Sequence, residues 1–196
     1  MTGRAREVGT LVTTFLASFL VFSIGFGDWR FGLGFVLLIL AHELGHMAEA
    51  KRQGLHVSLP VFIPFFGAFV TYRHSGIAPW KTALISLAGP LAGGIGAAVA
   101  WEIGSAQTSH TLLVLAYYGF VFNAINLLPI GFLDGGAVFR AIVDTWRRPA
   151  FRYERGIPVA ASAPERNHAV FIATLYVLLA AALVACAIAT RHSGAF

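Results

Sequence analysis

The sequence predicts an all-α polytopic membrane protein with about five transmembrane helices, six being the alternative, and a small membrane-associated β segment. Its 196 residues are 57% hydrophobic and only 12% charged, whereas charged residues make up about a quarter of a soluble domain. Five apolar stretches approach the roughly 20 residues that cross a bilayer. The basic residues gather between these stretches, as in membrane proteins. They form no stripe, so the net charge of +5 does not indicate a nucleic-acid partner.

The predicted spans cover residues 11–27, 31–50, 82–103, 111–128 and 169–190. The first resembles a signal peptide, because Arg4 and Arg6 precede its apolar stretch, but no small-x-small cleavage site follows. It is therefore interpreted as an uncleaved span. We expect a single domain over residues 1–196, with its core at about 31–146 and flanking spans at 11–27 and 169–190. Cys186 is the only cysteine, so no internal disulfide is possible.

Three further segments do not fit a spanning helix. Residues 59–72 are rich in Phe and Val but interrupted by Pro60, Pro64 and Gly67, which favours short strands near the membrane surface. Residues 135–146 predict a short helix at the inner interface. The charge and proline content of residues 147–167 predicts a cytoplasmic loop.

The Lys and Arg distribution predicts the orientation. With a cytoplasmic N-terminus, 12 of the 14 basic residues lie inside or at the inner interface, and only Arg30 and Arg191 lie outside. We therefore expect a multi-pass protein of the cell membrane.

The second span ends in "AHELGHMAEA", which places His42, Glu43 and His46 in an apolar setting. Residues four apart share one face of a helix, so the two histidines can bind one metal ion while Glu43 takes a proton from water beside it. Ionisable residues in a span usually mark function. The alternative is a pair of core histidines with a buried glutamate partner. At 1.5 Å per residue, the histidines lie roughly 7 and 14 Å from the interface marked by Lys51 and Arg52, within the cytoplasmic leaflet.

A catalytic zinc ion normally takes three protein ligands, so a third must come from elsewhere. Asp134 follows an apolar span that descends to the same side as His46, and Pro129 and Gly131 interrupt the helix just before it. Its alternative role is to cap the short helix that follows. With Asp134 as ligand and Glu43 ionised, the charges of the site, including Zn²⁺, sum to zero, which suits a low-dielectric interior. The other candidates, apart from the remaining acids, are His56, His74, His110, His168 and His192.

The motif H-E-x-x-H, together with N-x-x-P-x-x-x-L-D-G-G at residues 126–136, resembles the site-2 proteases, which are intramembrane zinc metalloproteases. The likeness extends over about residues 31–146. It implies one zinc ion bound by His42, His46 and Asp134, with Glu43 as the catalytic base and Asn126 holding the substrate or the oxyanion. Many relatives also carry a PDZ or CBS domain, for which this chain has no room, so a compact form is expected.

The resemblance implies cleavage of transmembrane or juxtamembrane segments of membrane proteins, in regulated intramembrane proteolysis. A metal-binding transporter and a catalytically idle scaffold are the rival hypotheses. The expected partners are a membrane-protein substrate, the lipid bilayer and an unidentified membrane regulator. Residues 59–72 either hold an extended substrate at a strand edge or anchor the chain to the membrane surface.

Overall fold

Six α-helices and two β-hairpins make up the part of the chain that the computed structural model describes, which comprises residues 3–64, 67–71, 77–147, 151–154, 157–160 and 164–192. In chain order the elements are α1 (Gly3–Phe26), α2 (Trp29–Arg52), β1 (Val61–Ile63), β2 (Gly67–Phe69), α3 (Pro79–Ala106), α4 (His110–Asn126), α5 (Asp134–Arg147), β3 (Phe151–Glu154), β4 (Ile157–Ala160) and α6 (Pro164–His192).

Helices α2 and α3 form the centre of the bundle. Helix α3 packs against α2, α4 and α5, while α1 and β1 lie on one side and α6 on the other. Small residues permit this close packing: a Cβ on Gly119 of α4 would lie 2.7 Å from Leu38 of α2 and 2.9 Å from Ala97 of α3. Close approach of backbones at small residues is how helices associate in lipid, where no hydrophobic effect drives them together.

Helix α2 has clear signals at both ends. The Asp28 side chain accepts a hydrogen bond of 2.8 Å from the Arg30 amide at the N-terminus, as a capping residue does. Lys51 and Arg52 occupy the last turn, where positive charge suits the helix dipole, and Gly54 follows with a φ of +81°. These ends fix the register of α2 and hence the position of its histidines.

Strands β1 and β2 pair antiparallel, with Phe62 opposite Ala68. The hairpin rests on α1, where the Phe62 amide donates to the Thr14 hydroxyl at 3.2 Å and the Phe62 ring packs edge-on against Phe15. The prediction of short strands within residues 59–72 is therefore confirmed.

Among the described residues, four helical stretches are long and apolar enough to cross a membrane: Arg4–Phe26, Trp29–Arg52, Pro79–Ala106 and Asn167–His192. These correspond to four of the five predicted spans. The remaining one, α4, has only 17 residues, so a total of five or six spans stays a prediction. The short helix predicted at residues 135–146 is present as α5.

The loop predicted at residues 147–167 contains a β-hairpin that the sequence analysis did not predict. Strands β3 and β4 pair antiparallel there, with Phe151 opposite Ala160 and Glu154 opposite Ile157. In the sequence of this hairpin, Phe, Tyr, Ile and Val alternate with polar residues and proline. Such short stretches form strands only when they pair with each other. Charge content alone therefore gave no sign of the hairpin.

Candidate metal centre

The two histidines of α2 point into the bundle rather than toward its surface. His42 is 3% exposed and His46 is 7% exposed. Their Nε2 atoms lie 3.0 Å apart, as expected for side chains four residues apart on one helical face. The pair thus presents two nitrogen donors to a single point.

Asp134 completes a cluster of three donors. Its Oδ2 lies 3.1 Å from His42 Nε2 and its Oδ1 lies 3.3 Å from His46 Nε2. Ligands about 2.0–2.2 Å from one tetrahedral ion are separated by roughly 3.3 Å, so these spacings fit a shared metal ion. The ionised carboxylate is the form of Asp134 that binds a metal.

The two glycines after Asp134 explain how it reaches this place. A Cβ on Gly135 would overlap the Leu127 carbonyl, and a Cβ on Gly136 would overlap the Ile130 carbonyl. The first turn of α5 can therefore pack directly against the backbone that leaves α4. This close approach holds Asp134 opposite the histidines of α2.

Hydrogen bonds to the second nitrogen of each ring fix the orientation of both histidines. His42 Nδ1 lies 2.8 Å from Asn123 Oδ1, and His46 Nδ1 lies 2.8 Å from the Ile85 carbonyl oxygen. A carbonyl oxygen only accepts, so His46 Nδ1 carries the proton and its Nε2 is free to bind a metal. Such outer contacts are a regular feature of metal-binding histidines.

Glycines of α3 provide the space for these side chains. A Cβ on Gly89 would overlap the His46 ring, and a Cβ on Gly93 would overlap the Asn123 carboxamide. Gly45 is also tightly packed, since its Cβ would overlap the Ala88 carbonyl. The face formed by Gly89, Gly93 and Ala97 thus accommodates site residues as well as neighbouring helices.

Glu43 lies beside the cluster in a cavity of about 520 Å³. It is 4% exposed. Asn126 borders the same cavity and donates from Nδ2 to the Phe122 carbonyl at 3.0 Å. Strand β2 and Phe132 also line this cavity. The cavity therefore brings together an acid, an amide, a metal-binding cluster and the edge of a short strand.

The structure thus brings all five sequence candidates, His42, Glu43, His46, Asn126 and Asp134, to one cavity, while their individual roles remain predictions. Two of the alternative ligands lie elsewhere. His168 stacks on Trp80 with ring centroids 4.5 Å apart, and His192 Nδ1 donates to the Ile188 carbonyl at 2.8 Å. His74 lies outside the described residues.

Asn123 was missed by the sequence analysis. Its signal was present, because an amide in an apolar span must find a partner inside protein. Asn123 lies outside the motif that contains Asn126, so the motif did not indicate it.

Comparison with known proteins gives the same assignment as the motifs. The model of peptidase family M50 matches residues 30–107 and 97–162. Stage IV sporulation protein FB of Bacillus subtilis is 30% identical over 112 residues, covering 56% of this chain and 39% of that protein. "Putative zinc metalloprotease Rip3" of Mycobacterium tuberculosis is 30% identical over 145 residues, covering 67% and 36%. "Probable zinc metalloprotease EGY2, chloroplastic" of Arabidopsis thaliana is 26% identical over 168 residues, covering 63% and 30%.

The matches to these three relatives thus span 30% to 39% of their length. The family model, by contrast, covers well over half of this chain and includes every residue of the metal-binding cluster. The resemblance to the intramembrane zinc metalloproteases is confirmed at the level of the family. This chain belongs to peptidase family M50.

Proposed function

We propose that this chain is an intramembrane zinc metalloendopeptidase that cleaves transmembrane or juxtamembrane segments of membrane proteins. The observation that carries the proposal is the cluster of His42, His46 and Asp134 beside Glu43. These side chains line one cavity, and three of them come from the apolar helix α2. Membership of a peptidase family and the names of two relatives support both zinc and peptide hydrolysis. Regulated intramembrane proteolysis is the proposed setting.

The donor set fits one zinc ion per chain. Two imidazole nitrogens and one carboxylate leave a fourth position for water or substrate, as in catalytic zinc sites. When bound, zinc supplies a Lewis acid that polarises the scissile carbonyl and makes water a better nucleophile. His42, His46 and Asp134 would hold it there.

The protein's own groups would carry the proton transfers. Glu43 is buried next to the histidines, where its carboxylate can take a proton from the attacking water and return it to the leaving amine. The Asn126 amide borders the same cavity, so it is the proposed contact for the substrate carbonyl or the oxyanion that forms from it.

The substrate must present an extended backbone, because the carbonyls of an intact helix are shielded by their own hydrogen bonds. Strand β2 is the proposed docking element. Gly67, Ala68 and Phe69 line the cavity, and the edge of a strand can pair with an extended peptide. Membrane anchoring by the hairpin is the alternative role.

The proposed placement in the cell membrane has five spans, α4 being the fifth, and a cytoplasmic N-terminus. The site then lies in the cytoplasmic leaflet, within a single domain over residues 1–196. Single cysteines at Ser109 and Ser162, in a Cys186→Ala background, should be labelled from opposite sides. Labelling of Ser162→Cys by an impermeant reagent in intact cells would show that the orientation is opposite to the one proposed.

A metal transporter and an idle scaffold are the competing functions. Neither requires Glu43, since the three other side chains suffice to hold a metal. Only the hydrolase proposal gives the Glu43 carboxylate a chemical role beyond neutralising the single positive charge left by Zn²⁺ and Asp134.

The decisive experiment compares new peptide termini in membranes of cells that express the wild type or the Glu43→Gln variant. We expect some membrane proteins to be cut only by the wild type and to accumulate intact with the variant. Identical sets of termini in the two membranes, at equal expression and with substrates supplied by the native host, would contradict proteolysis. The termini would also identify the substrate class.

A further inference from the structure

We infer that Asn123 is a positioning residue for the metal centre, which holds the His42 ring with its proton on Nδ1 and its Nε2 directed at the metal. The inference rests on the proposed function only in taking His42 as a metal ligand. It does not depend on whether the metal site hydrolyses peptides. Asn123 would act through His42, without contacting metal or substrate.

The hydrogen bonds of the Asn123 side chain determine which way its amide faces. Nδ2 donates to the Gly119 carbonyl oxygen at 2.7 Å, and that oxygen can only accept. The other atom of the amide, Oδ1, therefore faces His42 Nδ1 at 2.8 Å. Oδ1 can only accept as well, so Nδ1 must carry the proton, which leaves the lone pair of Nε2 free 3.1 Å from Asp134 Oδ2.

Burial makes this contact difficult to replace. Asn123 is 0% exposed, and its carboxamide occupies the space that a side chain on Gly93 would fill. Because the amide is enclosed by α3, water cannot readily take over its role when the side chain is changed. The proton on His42 Nδ1 would then be left without an acceptor, which is unfavourable for a buried donor.

The two histidines differ in how they are held. The partner of His46 Nδ1 is the main-chain carbonyl of Ile85, which no substitution removes. The partner of His42 is a side chain 81 residues away on α4. The orientation of His42 can therefore be tested by substitution, with His46 as an unchanged internal reference.

Asn123 and Asn126 have different surroundings, although they lie on the same helix. Asn126 borders the cavity, whereas Asn123 is not among the residues that line it. Asn123 cannot reach a substrate in that cavity. A variant of Asn123 should therefore change metal binding first, while a variant of Asn126 should change turnover without changing metal affinity.

The test measures zinc affinity of the purified, full-length protein in detergent by competition with a chelator of known affinity. Asn123→Leu keeps the approximate volume and removes the acceptor, and we expect a 10- to 100-fold loss of affinity, as is typical for an outer partner of a metal ligand. Asn123→Asp keeps an acceptor for the same proton but loses the Nδ2 donor to the Gly119 carbonyl, so it should bind zinc more tightly than Asn123→Leu and more weakly than the wild type. The visible spectrum of the Co²⁺-substituted protein should change more in Asn123→Leu than in Asn123→Asp.

A matched control separates this effect from general damage. Thr145 is buried on α5, and its hydroxyl donates to the Ala141 carbonyl at 2.7 Å, so Thr145→Val also removes a buried hydrogen bond of a helix. It should leave zinc affinity and the Co²⁺ spectrum unchanged. A purely structural role for Asn123 would lower the melting temperature with and without zinc equally, whereas the inferred role reduces the gain in melting temperature on adding zinc.

Wild-type zinc affinity and an unchanged Co²⁺ spectrum in folded Asn123→Leu would overturn the inference. If Asn123→Leu does not fold, Asn123→Ala decides, because it also removes the acceptor, and wild-type zinc affinity in that folded variant would overturn the inference. None of these readouts uses proteolysis. A wild-type protein that binds zinc but cuts nothing would contradict the proposed function and leave this inference intact.

Discussion

The inner helices α2 and α3 are more buried but less apolar than the outer helices α1 and α6. In a soluble protein the more buried helices are the more apolar ones. The apolar stretches of α1 and α6 have mean hydropathies of 1.9 and 2.6, yet only 11% of each is buried. Those of α2 and α3 are less apolar, at 1.5 and 1.7, and 56% of each is buried. In lipid an apolar surface needs no cover, whereas polar side chains must find partners inside the protein.

The same contrast appears in the glycines. On α3, Gly89 and Gly93 give their space to the His46 ring and to Asn123, whereas a Cβ on Gly9 of α1 would meet nothing within 4 Å. Gly89 and Gly93 of α3 are therefore part of the site, whereas Gly9 of α1 is not. Matched substitutions in the two regions should have very different effects.

Removal of a metal ligand is the largest expected effect. His46→Ala should lower zinc affinity by more than the 10- to 100-fold typical of changing an outer partner of a metal ligand. Cleavage should disappear with the metal. His192→Ala on α6 is the control, because His192 is exposed and donates to the backbone of its own helix. Zinc content of the purified variants, measured by atomic emission, checks both. Equal zinc content in His46→Ala and His192→Ala would show that the histidines of the inner and outer helices do not differ in metal binding.

Gly89→Ala should have the next largest effect. The added methyl group overlaps the His46 ring, so the ring must leave its present position and zinc affinity should fall about tenfold or more. Gly9→Ala adds the same methyl group to α1 in open space. It should leave zinc affinity unchanged and should not lower stability. Chelator competition on both variants measures the difference. Unchanged affinity in Gly89→Ala would show that the glycine face of α3 serves helix packing alone.

Ala68→Pro tests the hairpin at the edge of the inner region and has the smallest expected effect. Proline removes one backbone donor, and loss of one hydrogen bond to substrate is worth about 1 kcal/mol, or roughly fivefold in cleavage. Zinc affinity should stay the same, since no metal ligand lies on β2. Ala68→Gly retains the donor and is the control. Cleavage at the wild-type rate by well-folded Ala68→Pro would leave membrane anchoring as the role of the hairpin.

The sequence was most informative where the relevant geometry is local. His42, Glu43 and His46 lie on one helix, so their spacing alone fixes how the two rings relate. Asp134 required a second step, because its ligand role depends on α5 packing against the end of α4 at Gly135 and Gly136. The contact of Asn123 with His42 depends on how α4 meets α2 and α3, and no local pattern encodes it.

Two other parts of the fold show the same limit. Strands β3 and β4 form a hairpin only by pairing with each other, and their charged residues and proline suggested a loop. The sequence also leaves open whether α4 spans the membrane, because its 17 residues fall short of the roughly 20 that cross a bilayer. Whether it spans depends on how the surrounding helices seat it in lipid, which hydropathy does not describe.

The central claim is that His42 and His46 of α2 and Asp134 of α5 hold a metal, and that Glu43 of α2 uses it in catalysis. The most direct measurement is zinc content and cleavage in the same preparations of Glu43→Gln and His42→Ala. We expect Glu43→Gln to retain one zinc per chain while cleavage falls by about 10²- to 10⁴-fold or more, as loss of a general base does. His42→Ala should lose both. Normal cleavage by Glu43→Gln, or loss of zinc from it, would contradict this division of roles.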